Sequence, residues 1–82
     1  MKLSKTVRRN VLWLLKQRLE ARYDEAREMV VRAPDERTAR TLASEKCGDE
    51  GRSVWQEAAL STCKRLMADG PAGVIIQDYY ED

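Results

Sequence analysis

The stretch from Asp35 to Gly48 constrains the fold most, because it carries the start signal, the periodic apolar face and the stop signal of one helix. Asp35 follows Pro34 and is placed to accept hydrogen bonds from free backbone N–H groups of a first turn. Ala39, Leu42, Ala43 and Cys47 recur at helical spacing, and Gly48 falls where a left-handed stop is expected. An amphipathic helix of this length hides its apolar face by packing on other elements, so its neighbours must supply a surface for it.

Upstream, Ser4 is placed to cap a first helix over 3–22. Projected at helical spacing, Leu3, Val7, Val11, Leu14 and Leu15 share one face, with Leu19 at its margin, and Lys2, Lys5, Arg9 and Lys16 lie opposite, beside Trp13. Met29-Val30-Val31 is β-rich and reads as a short buried strand that Ala33-Pro34 ends.

Downstream, Gly48-Asp49-Glu50-Gly51 reads as an acidic loop, and two readings compete for residues 54–67. By periodicity, Ser53 and Gln56 form a capping box, and Trp55, Ala58, Ala59, Cys63, Leu66 and Met67 line a third helix. By turn chemistry, Ala68-Asp69-Gly70-Pro71 links a strand over 61–67 to a final strand over 73–80. The expected fold is α+β in one domain over 1–82. It places an N-terminal helix before a strand-helix-hairpin unit over 28–80 with a three-stranded sheet; three helices and two strands are the alternative.

The size of the chain limits what such a domain can do. Eighty-two residues bury only a modest core, which leaves little room for a large internal active-site cavity. Hydrophobic residues at 43% against 35% charged fit a folded protein. The longest apolar run near the N-terminus, Val11-Leu12-Trp13-Leu14-Leu15, is too short for a signal-peptide core or a membrane span, so a cytoplasmic location is expected. Cys47 and Cys63 make no close metal or redox pair and read as free, packed thiols.

Chemistry is narrowed by composition. The chain has no histidine, which removes Ser-His-Asp and Cys-His nucleophile pairs and His-ligated zinc within one chain. Neither G-x-x-x-x-G-K nor G-x-G-x-x-G occurs, and the glycines at 48, 51, 70 and 73 form two close pairs suited to turns. The expectation is a protein that is not an enzyme and uses no cofactor or metal.

What remains is surface charge. Residues 1–22 carry seven Lys or Arg against Glu20, a balance of +6, and residues 23–82 carry a balance of −5. Such a molecule is electrostatically polar. Lys5, Arg9, Trp13 and Lys16 are candidate nucleic-acid contacts, because phosphates need cations and an aromatic ring stacks on a base. Asp49, Glu50, Asp78, Tyr79, Tyr80, Glu81 and Asp82 are candidate protein contacts, because carboxylates match a basic groove and tyrosine adds contact area at low entropy cost.

The succession Val31-Arg32-Ala33, Ala39-Arg40-Thr41-Leu42-Ala43, Asp49-Glu50-Gly51, Trp55, Ser61-Thr62-Cys63, Asp69-Gly70-Pro71 and Gly73-Val74-Ile75 resembles short uncharacterised proteins of bacterial phages and mobile elements. The resemblance covers roughly residues 28 to 78, leaves out the basic N-terminal stretch, and includes no catalytic or ligand motif. It implies a strand-helix-hairpin domain of the kind that includes anti-defence inhibitors. The expected function is therefore a protein-binding module that inhibits a host nucleic-acid-handling defence complex in an anti-CRISPR-like manner. The alternative is a small nucleic-acid-binding protein; self-association as a homodimer through the apolar face of the first helix is a third expectation.

Overall fold

The computed structural model describes residues 9–77. It shows a small α+β domain in which three strands, β1 (Val11–Gln17), β2 (Glu28–Ala33) and β3 (Ser61–Leu66), make one antiparallel sheet in the order β2-β1-β3. Two helices, α1 (Glu36–Ser44) and α2 (Arg52–Gln56), connect β2 to β3 and pack on one face of that sheet.

The helix expected over 3–22 is overturned where it can be read. Its first residues lie outside the described ones, Val11–Gln17 is the central strand, and residues 18–22 are not helical. The reason lies in the two faces of β1. Leu12 and Leu14 on the face away from the helices are apolar as well as Val11, Trp13 and Leu15 on the helix side, so the strand reads as a continuous apolar run, which carries the helical period as readily as the strand period. Val11, Trp13 and Leu15 alternate with Leu12, Leu14 and Lys16 across the pleat. Leu15 is fully buried and Trp13 packs beside it.

The helix from Asp35 forms as the sequence dictates. Asp35 has an extended backbone, and its carboxylate accepts from the Thr38 N–H at 2.8 Å. Ala39 and Ala43, one turn apart and fully buried, let the helix approach closely. Leu42 instead stays partly open to solvent. The helix ends at Ser44 with Glu45 still right-handed, so Gly48 is not its left-handed stop. Gly48 answers another need, since a Cβ there would collide with the carbonyl oxygen of Asp24.

Residues 54–67 divide between the two readings. Helix α2 stops at Gln56, and the chain enters β3 at Ser61. Its N-cap is Gly51, whose φ of 90° suits glycine, and no side chain caps it, so Ser53 and Gln56 form no capping box. Its fully buried residue is Trp55, which with Leu15, Ala33, Ala39 and Ala43 makes the core; Met29, Val31, Cys47, Val54 and Cys63 pack around it.

The final strand expected over 73–80 is absent over 73–77. Val74 and Ile75 are 80% and 65% exposed despite their β propensity. Among the described residues the one ladder partner of β3 is β1, brought in from far upstream, and residues 73–77 form no hairpin with its outer side. The three-stranded sheet expected from the sequence is present, but β1 supplies the strand that the C-terminal segment was expected to give.

Candidate functional site

The acidic loop separates into an inward and an outward residue. Glu50 Oε1 accepts from the backbone N–H groups of Ala26 at 3.0 Å and Gly48 at 2.9 Å, while Oε2 accepts from Trp55 Nε1 at 2.6 Å. Burial alone would raise the Glu50 carboxyl, but these donors outweigh it and hold the group below its ordinary value. Asp49 is exposed, and its N–H donates to the Asp24 carbonyl at 2.8 Å. Asp24 itself has a φ of 62°, a conformation Asp adopts more readily than most residues. Glu50 therefore serves as a fastener between the 24–26 turn, its own loop and the core tryptophan, and the free carboxylate of the loop is Asp49.

A second polar hub lies on the same face of the sheet. Arg40 is 8% exposed, and its guanidinium donates to Glu36 Oε2 at 2.9 Å, the Trp55 carbonyl at 3.1 Å, Ser61 Oγ at 2.9 Å and the Ser61 carbonyl at 3.1 Å. Arginine suits this role because its planar fork reaches several acceptors at once. The hub ties α1 to α2 and to the start of β3. No motif reading singled out Arg40, since it sits beside the Ala39–Ala43 stripe rather than in it. Arg40 and Glu50 thus both hold Trp55, one at its carbonyl and one at its indole N–H.

The basic candidates are split by the sheet. Lys5 lies outside the described residues, and Arg9 is exposed ahead of β1. Trp13 and Lys16 occupy opposite faces of β1: Trp13 is half-buried on the helix side, with its Nε1 donating to the Ala33 carbonyl at 3.0 Å, and Lys16 points to the other side. Among the described residues, Trp13 and Lys16 do not share the surface expected from a helix.

A different surface takes its place. The face of the sheet away from the helices presents three cross-strand rows: Arg32-Leu12-Leu66, Val30-Leu14-Lys64 and Glu28-Lys16-Thr62. Leu12 and Leu14 form a half-buried apolar centre, Val30 adds a 47% exposed side chain at one margin, and Arg32, Lys64 and Lys16 surround them. After β3 the chain turns through Gly70-Pro71, and Gln77 then shares a shallow groove with Lys16 and Glu28. Strand alternation is the sequence signal that would have found this face, once Val11–Gln17 is read as a strand.

The acidic tail Asp78, Tyr79, Tyr80, Glu81 and Asp82 lies outside the described residues. Both cysteines are free and half-buried. Burial pushes the Cys63 thiol above its ordinary value, with the Glu36 carboxylate adding to this and Arg40 partly opposing it, which disfavours a reactive thiolate. Among the described residues no three His, Cys, Asp or Glu side chains are grouped to hold a metal, and no helix is long and apolar enough to cross a membrane. No protein-family model, curated protein or solved structure matches the chain.

Proposed function

We propose that the chain is a non-catalytic protein-binding module, encoded by a phage or mobile element, that binds stoichiometrically to a host complex handling nucleic acid. The observation that carries this reading is the face of the sheet away from the helices. An apolar centre of Leu12, Leu14 and Val30 within a rim of Lys16, Arg32 and Lys64 has the composition of a protein contact surface, apolar inside and charged around. The rim favours a partner segment that is apolar with acidic flanks. Asp49 and the tail Asp78, Tyr79, Tyr80, Glu81 and Asp82 supply a second contact, of opposite sign, to a basic groove. The best-placed polar groups on the helix side, Arg40, Glu50 and Trp55, are engaged within the fold, which supports recognition through these surfaces instead.

A second reading, direct nucleic-acid binding, is favoured by Lys16, Arg32 and Lys64 sharing one face. Trp13 adds nothing to it, because its ring lies on the helix side.

The test is a pull-down from bacterial lysate with the tagged chain, split into nuclease-treated and untreated halves and read by mass spectrometry. The proposal expects a host complex retained after nuclease and weakened by Lys16→Glu with Lys64→Glu. Capture of nucleic acid, with all proteins lost once nuclease is added, contradicts it. Binding to nucleic acid would then fall steeply with added salt, since every phosphate contact adds to the salt slope.

A further inference from the structure

The two edges of the sheet are not equivalent. In an antiparallel ladder, alternate residues of an edge strand turn their N–H and C=O groups inward to the neighbour and outward to solvent. The N–H of Gln17 donates to the Arg27 carbonyl at 3.0 Å, which fixes the phase along β2: Met29, Val31 and Ala33 bond inward to β1, and Glu28, Val30 and Arg32 turn outward. The same reasoning from the Arg18 N–H to the Leu60 carbonyl turns Ser61, Cys63 and Arg65 outward on β3. There the first outward residue is closed, because the Ser61 N–H donates to the Glu57 carbonyl and its own carbonyl accepts from Arg40. On β2, no strand among the described residues pairs with the outer edge. Helix α1 leads away from that edge toward β3, as the Arg40–Ser61 bonds require, and Val30 remains 47% exposed.

The outward residues of β2 are self-complementary. If a second β2 lies antiparallel with Val30 opposite Val30, then Glu28 falls opposite Arg32 of the copy and Arg32 opposite Glu28. This register places all three outward residues of each strand opposite outward residues of the other, so the ladder closes over the full strand. It also puts one carboxylate against one guanidinium at both ends, in the direct cross-strand position where opposite charges attract. On the face away from the helices the middle row becomes Lys64-Leu14-Val30-Val30-Leu14-Lys64, an unbroken apolar centre between two lysines.

We propose that two copies of this chain pair edge to edge through β2, antiparallel about Val30, into one six-stranded sheet with a twofold axis at that residue. A contact of this kind is isologous and closes on itself, which ends growth at the dimer. It covers a sheet edge that no described strand pairs with and joins the two faces away from the helices into one continuous surface.

Sedimentation velocity on the full chain, from micromolar to near-millimolar concentration, tests this, with thermal melting followed alongside. The wild type is expected to pass from monomer to dimer. Arg32→Glu places like charges opposite each other at both ends and should raise the dimer dissociation constant by at least about tenfold. Adding Glu28→Arg to it exchanges the two charges and should restore association. Val30→Pro removes an outward N–H that only the dimer uses, so it should abolish the dimer while the monomer stays folded. A monomer at every concentration overturns the proposal, as does a dimer that Arg32→Glu and Val30→Pro leave unchanged.

Discussion

The indole Nε1 of Trp55 lies 2.6 Å from Oε2 of Glu50, so the one tryptophan fully inside the core is held by a carboxylate from the loop that precedes its helix. The other oxygen of Glu50 gathers the backbone of Ala26 and Gly48, and one side chain thereby joins the distant 24–26 turn to its own loop and to the helix that follows.

Glu50→Gln follows directly from that geometry. An amide retains one acceptor but presents an N–H₂ group to one of the donors, leaving a pair of donors face to face. The cost is expected at about 1–3 kcal/mol, read from urea unfolding. The pH dependence has a definite sign. The Glu50 carboxyl is held below its ordinary value in the fold, so its contribution is fully present above the unfolded value near 4.5 and disappears as pH falls through the lower folded value. Wild type should lose stability over that acid range more steeply than Glu50→Gln.

Arg40→Ala removes donors from the Trp55 carbonyl, Ser61 Oγ and the Ser61 carbonyl together, and leaves Glu36 without its partner. Breaking a buried charged hub of this kind should cost about 3–5 kcal/mol, most of the stability of a domain this small. Arg40→Lys restores the charge without the fork and should recover only part of the loss in thermal midpoint.

Gly48→Ala sets a methyl group against the Asp24 carbonyl oxygen, which is backbone and cannot swing aside. The 24–26 turn and the Glu50 loop would have to separate, and a loss of about 1–3 kcal/mol is expected from overpacking. Gly73→Ala, where no atom lies within 4 Å of the added methyl, serves as the control and should leave the melting temperature nearly unchanged.

Local signals made α1 and β2 legible in the sequence. Asp35 caps through its own side chain, Ala39 and Ala43 repeat at one turn, and Met29-Val30-Val31 is β-rich between polar residues. The central strand was not legible in the same way, because Val11 to Leu15 is apolar at every position and fits both periods. Val74-Ile75-Ile76 misled for the opposite reason: local propensity favours a strand, yet residues 74–76 join neither edge of the sheet. Glu50 read as one more loop acid, since nothing local reveals that a tryptophan five residues on will turn back to it. Trp13 and Lys16 read as neighbours on a helix and lie on opposite faces of a strand.

The sheet face away from the helices and the β2 edge both depend on Val11–Gln17 running between β2 and β3, and NMR reads that arrangement directly. In this register Leu14 faces Val30, and Leu15 faces Cys63, as non-hydrogen-bonded pairs whose Cα atoms lie at about 4.5 Å. Strong Hα–Hα cross-peaks between Leu14 and Val30 and between Leu15 and Cys63 are the predicted result. Sequential amide–amide cross-peaks along 11–17, with no such cross-strand pairs, would mean a helix there and would contradict the account.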